Sequence, residues 1–238
     1  CVTFGRAMGV RDSTRETILE AATGLFLEKG LIAVAMEDIA TRADCTRRNL
    51  YRYFATKEDL AFMVVIGLLR EWNGFQVKTF DGLQGSGLER LRCFLLTLAG
   101  HMEQRKPLLR FMGEFDFVFQ DGIAFQPDAG TTELFNSVIH VTEDLLEKIL
   151  ETGQKDGSLR LFDTVARLVP TITTVLWGLG QRVAIRDSMI KSEFGLEGMD
   201  LVRTQIEFLV RALDVPGGAP TPGPETASAK APVPNKEA

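Results

Sequence analysis

EDIATRADCTRRNLYRYFATK, residues 37–57, is the stretch of sequence that decides the fold of this chain. The spacing of its apolar residues predicts a short helix over about 36–42 and a second helix that Thr46 caps and that runs through Phe54. Residues 43–45 break the pattern between them. Two short helices joined by a three-residue turn are typical of a helix-turn-helix.

The faces of these two helices differ in chemistry. Leu50 and Phe54 lie four residues apart, so we expect them to share one buried face, with Ile39 and Ala40 facing inward from the preceding helix. The opposite face of the second helix is polar and basic, and it carries Arg47, Arg48, Asn49 and Arg52.

This segment is basic within an acidic chain. The whole chain has a formal net charge of -5, from 27 Lys and Arg against 32 Asp and Glu. Between Arg42 and Lys57, by contrast, five basic residues stand against Asp44 alone, a local charge of +4. Such asymmetry is expected of a surface that faces phosphates, and charge alone does not separate it from an ordinary solvated helix face.

Helices are also predicted on both sides of the helix-turn-helix. Ser13 and Glu16 form a capping-box pattern at the start of a first helix, which Gly30 ends. Thr56 and Asp59 form a second capping pair. A fourth helix should therefore begin just after Thr56 and run to about residue 72 or 75.

The rest of the chain keeps a helical pattern, without strand or hairpin motifs. Glycine and proline breaks separate predicted helices over 88–104, 107–119, 131–155, 163–185 and 197–213. The fold class is therefore all-α, with a three-helix helix-turn-helix domain at 13–56 and an antiparallel helical bundle at 57–213. We expect residues 1–12 to be a flexible N-terminus and the Pro-rich stretch 214–238 to be a disordered tail.

The string Thr46-Arg47-Arg48-Asn49-Leu50-Tyr51-Arg52-Tyr53-Phe54, with Glu37-Asp38-Ile39-Ala40 before it and Lys57-Glu58 after it, resembles the TetR family of one-component regulators. The motif match covers about residues 14–60. The resemblance implies a two-fold homodimer with N-terminal DNA-binding heads and a C-terminal core that receives a small-molecule effector. It also implies a dimer interface made largely by helices 163–185 and 197–213.

The residue types of the basic face suit contacts to a double-stranded DNA operator. An Arg or Asn side chain can bond two atoms of one base, so the candidates for base contacts are Arg47, Arg48 and Asn49. The candidates for phosphate contacts are Thr46, Arg52, Tyr53 and Lys57. For Tyr51, packing and DNA contact are equally good interpretations.

Three positions depart from the family's pattern. Asp44 stands where the family usually has Gly, and Asp tolerates the left-handed conformation that the turn needs. Ala35 stands where a Thr commonly caps the second helix and touches a phosphate, so that cap is lost here. Arg48 replaces a small residue that lets the third helix approach DNA closely, and it either clashes or contacts a base.

The bundle is expected to receive the effector between its helices. Phenylalanines crowd into 107–119, and a bundle core explains them, yet aromatic-rich cores are also where small ligands bind. We expect a mostly apolar effector, cationic if Glu114 or Asp116 points inward. The candidate contacts are His101, Phe111, Phe115, His140 and Trp177.

The last two predicted helices have apolar faces wide enough for a core and a partner at once. Pro170 should kink helix 163–185 or mark its true start. Gly178 and Gly180 would permit close helix approach. A two-fold dimer predicts a palindromic operator, with half-sites about one DNA turn, ~34 Å, apart.

Other classes of protein are disfavoured. No phosphate loop, nucleophile elbow or metal-ligand spacing is present, so we expect neither an enzyme nor a cofactor or metal. Cys45 and Cys93 form no CxxC pair and are expected to be buried thiols, with redox sensing by Cys45 a minor hypothesis. With no apolar run of ~18 residues and no secretory signal, a cytoplasmic protein with no membrane partner is expected.

A ligand-released repressor is thus the leading hypothesis from the sequence. A transcriptional activator of the same fold is one alternative. A helical protein-interaction module is the other, although it does not explain why the turn, the cap and the basic face coincide.

Overall fold

The computed structural model describes residues 10–120 and 127–215, which form ten α-helices and no β-strand apart from an isolated bridge between Leu159 and Asp214. The helices are α1 (Val10–Lys29), α2 (Met36–Arg42), α3 (Arg47–Tyr53), α4 (Lys57–Asp81), α5 (Gly87–Gln104), α6 (Lys106–Val118), α7 (Ala129–Ile139), α8 (Val141–Asp156), α9 (Val165–Phe194) and α10 (Gly198–Leu213). The all-α fold class is confirmed for this part of the chain. None of these helices is long and apolar enough to cross a membrane.

The first three helices pack as the sequence predicts. Helix α2 has the predicted bounds, and Thr46 caps α3 by accepting a hydrogen bond from Asn49 N at 3.2 Å. Asp44 has the left-handed conformation expected of it, with φ of 49°. The residues predicted to face inward are all buried, namely Ile39, Ala40, Leu50 and Phe54.

The start of α1 differs from the prediction. The helix begins at Val10, so Ser13 lies inside it, and the carbonyl of Ser13 accepts a hydrogen bond from Thr17 Oγ1 at 3.0 Å. No glycine or proline between Val10 and Ser13 stops helical hydrogen bonding there. The prediction of a capping box at Ser13 and Glu16 is therefore wrong. The Pro-rich tail falls outside the described residues from 216 onward.

Helix α4 begins as predicted and is longer than predicted. Thr56 Oγ1 accepts from Asp59 N at 3.0 Å, and Thr56 N donates to Asp59 Oδ2 at 3.1 Å, which completes the expected capping box. The helix continues past residue 75 to Asp81, and Gly82 is its C-cap residue. One rigid rod thus runs from the helix-turn-helix into the body.

Two further helices of the body differ from the pattern. The predicted helix 131–155 is divided at His140 into α7 and α8, and Asn73 Nδ2 of α4 donates to the carbonyl of Val138 just before the break at 2.8 Å. Helix α9 extends to Phe194, because the first left-handed residue is Gly195. Pro170 lies inside α9 and does not mark its start.

Small residues bring helices of the body into close contact. Gly180 of α9 is buried, and a Cβ there would lie 3.2 Å from Met102 Sδ of α5. Gly178, also predicted to permit a close approach, faces open space within this chain. At the start of α5, a Cβ on Gly87 would overlap the Cα of Gly153 in α8.

Substituting Gly87 tests this crossing. Gly87→Ala should lower the free energy of unfolding by about 1–3 kcal/mol, because the added methyl group meets backbone that must move. Gly100→Ala is the matched control, since Gly100 lies in the same helix and an added methyl group there would have no atom within 4 Å. Its stability should be unchanged or raised by up to about 1 kcal/mol. Chemical denaturation measures both, and equal stability of the two variants would contradict the packing described.

Candidate DNA-binding surface and ligand cavity

The outer face of α3 brings together most of the predicted DNA contacts. Its exposed residues are Thr46, Arg47, Arg48, Tyr51 and Arg52, while Asn49 and Tyr53 are half-buried. Tyr51 is 43% exposed, which argues against a role in packing within this chain. Arg48, Asn49 and Arg52 line a shallow depression with the turn before α3.

The arginines of this surface differ in what they contact. Arg47 pairs with Glu37 of α2, and Arg52 donates to Tyr53 Oη at 3.3 Å with its guanidinium over the Tyr53 ring. Arg48 makes no hydrogen bond or ion pair with any residue that the structure describes. Its side chain is therefore available to DNA without first breaking a contact in the protein.

Arg42 is used inside the protein. Its guanidinium donates two hydrogen bonds, both of 2.7 Å, to the carboxylate of Glu28 in α1. These bonds hold the pKa of Glu28 below its usual value and raise that of Arg42. The pair holds α2 against α1. Because Glu28 neutralises Arg42, the positive charge that the basic segment offers to DNA is smaller than the local charge of +4.

Lys57 is half-buried, and its ammonium group is engaged within the protein. Its Nζ donates to the carbonyls of Leu31 and Val34, both at 3.1 Å. A cation at the first residue of a helix faces the positive end of the helix dipole, and these carbonyls offset that cost. Lys57 thus connects α4 to the turn after α1, and its ammonium group already has hydrogen-bond partners within the protein.

The same turn is held from the other side by Glu114 of α6. Glu114 Oε2 accepts a hydrogen bond from Ile32 N at 3.1 Å. Gly30 has φ of 87°, and a Cβ there would clash with Glu114 Oε1, so glycine is required both for the turn and for this contact. Glu114 therefore does not point into the bundle.

The cysteines differ from expectation. Burial, followed by the charge of Asp44, raises the pKa of the Cys45 thiol, which lowers its thiolate fraction at neutral pH. This disfavours the redox hypothesis. Cys93 is exposed, so its prediction as a buried thiol is wrong. Cys93 is two residues from both Leu91 and Leu95 and so lies off the stripe of buried residues on α5, a spacing that could have shown its exposure from the sequence.

A cavity of about 290 Å³ lies between helices of the body. Two of the five predicted ligand contacts, Phe115 and Trp177, line it. Other walls come from residues that the sequence did not single out, namely Leu69, Trp72, Asn73, Met102, Phe135, Thr142, Glu143, Thr173 and Ile206. Trp72 was missed because the sequence placed it at the end of α4 instead of within it.

Three predicted ligand contacts lie elsewhere. Phe111 stacks on Phe26 of α1 with ring centroids 5.6 Å apart, because α6 turns that side toward the first helix. His101 stacks on Phe75 at 3.7 Å, and burial, with the charge of Arg105, lowers its pKa. His140 is exposed at the break between α7 and α8. None of the three lines the cavity.

The polar lining of the cavity includes two carboxyl groups. Asp116 lies on the same side of α6 as Phe115, and burial raises its pKa while a 2.7 Å hydrogen bond from Gln181 opposes the shift. Glu143 lies in the first turn of α8, at helical spacing from the buried Leu146 and Leu150. A carboxylate in line with an apolar stripe is a pattern that could have identified Glu143 from the sequence.

Within residues 10–120 and 127–215, no group of three or more His, Cys, Asp or Glu side chains could hold a metal ion. The exposed large apolar residues include several on α9, α10 and the loop between them, namely Val175, Ile185, Met189, Phe194, Leu196 and Phe208. These exposed apolar residues thus lie on two helices that pack against each other and on the loop that joins them.

Comparison with known proteins finds a family match that begins within α1 and ends within α4. Residues 18–64 match the family model described as bacterial regulatory proteins, tetR family. The transcriptional repressor KstR2 of Mycobacterium tuberculosis is 33% identical over 87 residues, 37% of this chain and 43% of KstR2. The matched part of this chain thus spans less than half of that relative.

Longer similarities are weaker in sequence. The transcriptional activator FasR of Mycolicibacterium smegmatis is 24% identical over 76% of this chain and 80% of FasR. The solved structure of FadR from Thermus thermophilus, a repressor in complex with lauroyl-CoA, has a TM-score of 0.55 and 22% identity, over 88% of this chain and 99% of FadR. That structure supports the fold over the matched 88% of this chain.

Proposed function

We propose that this chain is a TetR-type regulator and, more specifically, a sequence-specific transcriptional repressor that binds a palindromic DNA operator as a homodimer. A small, mostly apolar effector releases it. The proposal is supported by the match of residues 18–64 to the tetR family model and by the similarity to the repressor KstR2. The observation that carries the proposal is the outer face of α3, where a capped helix with a buried inner side presents arginines and an asparagine to solvent. In this proposal residues 13–56 are the DNA-binding domain, and residues 57–213 bind the effector and the partner subunit.

The roles of the DNA-facing residues follow from their surroundings. Arg48 and Asn49 are the first candidates for base contacts, and Arg47 joins them once DNA competes with Glu37. Thr46, Tyr51, Arg52 and Tyr53 are assigned to phosphates. Lys57 acts mainly by placing the amide end of α4 and the turn after α1 against the backbone of DNA.

The proposed homodimer forms through α9 and α10. Their exposed apolar residues supply a surface that a two-fold partner would cover, and Pro170 and Gly178 lie on the same exposed side of α9. A two-fold axis places two α3 helices about one DNA turn, ~34 Å, apart.

The effector acts on the heads through α4 and α6. Helix α4 carries Lys57 at one end and the cavity residues Leu69 and Trp72 farther along. Helix α6 carries Glu114 against the turn after α1 and Phe115 against the cavity. A ligand that moves either helix therefore moves the heads, because both helices hold the same turn.

Activation remains the second candidate, because the similarity to the activator FasR covers more of the chain than that to KstR2. Repression is favoured by the higher identity to a repressor within the matched head. A reporter gene behind the bound sequence distinguishes the two by the direction of its response.

Operator recognition is tested by selecting a duplex from a random-sequence DNA pool with the wild-type protein and measuring gel shifts. Arg47→Ala should weaken binding about 5- to 150-fold and relax the sequence preference at one base pair, since a good bidentate contact contributes ~1–3 kcal/mol. Lys57→Ala should weaken binding to all duplexes and lower the melting temperature of the head. Lys148→Ala is the control, because Lys148 is exposed on α8, away from α3. Wild-type affinity in both test variants would rule out this surface.

The dimer is tested by light scattering, which should give twice the chain mass of 26.3 kDa. Phe208→Glu should shift the protein toward monomer and weaken operator binding, because a charge would be buried at the interface. Phe117→Glu is the control, as Phe117 is similarly exposed on α6. A monomeric wild-type protein would contradict the proposal.

The link between head and body is tested with Glu114→Ala. Hydrogen exchange of the Ile32 amide should accelerate, because its acceptor is gone. Operator affinity should fall, since heads that are less restrained lose more conformational freedom on binding. Glu133→Ala, on the exposed side of α7, should change neither measurement. Unchanged exchange at Ile32 would show that this contact does not hold the turn.

A further inference from the structure

Glu143, which lines the cavity, has a buried carboxylate oxygen without a hydrogen-bond partner among the described residues. Its Oε2 is buried and accepts no hydrogen bond from any of the described residues. Buried side-chain acceptors in proteins are nearly always paired, because an unpaired acceptor loses its bonds to water without replacement. A donor brought by a ligand would pair it.

The neighbouring polar groups bond to one another instead of to Glu143. Thr142 Oγ1 donates to Gln76 Oε1 at 3.0 Å, and Gln76 Nε2 donates to Asn73 Oδ1 at 2.8 Å. Asn73 Nδ2 in turn donates to the carbonyl of Val138. This chain fixes α4, α7 and α8 around the cavity and directs its donors away from the Glu143 carboxylate.

The charge of the lining favours a cation. Asp116 is a second carboxyl group of the lining, and no Lys, Arg or His is among the residues that line the cavity. Gln181 Nε2 donates to Asp116 Oδ2 at 2.7 Å, so of these two carboxyl groups it is Glu143 that keeps an unpaired buried oxygen. An anionic ligand would meet two acidic groups and no basic one.

The aromatic walls also favour a cation. Trp72 and Trp177 meet edge to face with ring centroids 5.4 Å apart, and Phe115 and Phe135 lie on the same cavity. Aromatic faces attract ammonium groups, and Trp does so most strongly. The remaining walls are largely apolar and fit a hydrocarbon body.

We propose that the effector is a compact organic cation, an apolar body with one protonated amine that donates to Glu143 Oε2. This inference rests on the proposed function, because it names the ligand class for the same cavity. A volume of about 290 Å³ lies at the lower end of the usual range for small-molecule sites, so the body is small.

Two sets of probes, each with one body and three head groups, test the charge preference. The first set is decylamine, decanol and decanoate, and the second is adamantanemethylamine, adamantanemethanol and adamantanecarboxylate. Trp72 and Trp177 are the two tryptophans of the chain and both line the cavity, so tryptophan fluorescence reports binding directly. Calorimetry gives the affinities independently.

The amine should bind roughly tenfold to a hundredfold more tightly than the alcohol of the same body, with the carboxylate weakest, because hydrogen bonds between charged groups are stronger. Glu143→Gln should remove the preference for the amine and leave the affinity for the alcohol unchanged. Glu147→Gln, one turn farther on α8 and exposed, should behave as wild type. The order of the three head groups on the wild-type protein tests the proposal even if a variant fails to fold.

An alcohol or carboxylate that binds tightest in both sets would overturn the proposal, as would an amine preference that survives Glu143→Gln. Failure of every probe to change the fluorescence up to its solubility limit would also overturn it. Gel shifts on the selected operator keep the two proposals apart. Operator binding without an amine preference refutes only the ligand class, whereas loss of operator binding refutes the proposed function.

Discussion

The turn between α1 and α2 is held by two charged side chains from different helices, and the relation of the DNA-facing helices to the body depends on this constraint. Lys57 of α4 binds the carbonyls of Leu31 and Val34, and Glu114 of α6 binds the amide of Ile32. Backbone groups in a turn have no helical partner, so charged side chains satisfy them well. The stacking of Phe111 on Phe26 adds an apolar contact beside these bonds.

Since α4 and α6 also form walls of the cavity, a change there reaches the heads through rigid elements. Helix α4 is continuous from Lys57 to Asp81, so a tilt at Trp72 moves its first turn. The polar chain of Thr142, Gln76 and Asn73 joins α4 to α7 and α8, and a ligand that disturbs it acts on the same helix. In the proposed repressor, the cavity and the DNA surface are thereby coupled without contacting each other.

The electrostatics of the two regions are opposite, and each suits its proposed partner. Arg48 and Arg52 are exposed on α3 in a chain whose net charge is negative, so attraction to DNA is confined to that surface. The cavity holds Asp116 and Glu143 without a basic residue in its lining. The charge of the lining therefore disfavours an anionic effector, in agreement with the proposed cation.

The sequence by itself determined the head: the bounds of α2, the Thr46 cap, the left-handed Asp44 and the buried Leu50 and Phe54 follow from local spacing and turn chemistry. It also determined the all-α class, because periodicity and breakers are local. Tertiary structure alone decided which long-range partner each polar or aromatic side chain meets. In the folded chain Phe111 packs against α1, Lys57 bonds to the turn after α1, and Glu143 and Trp72 line one cavity. Helical periodicity could not predict these contacts, because it shows that a face is buried but not what covers it.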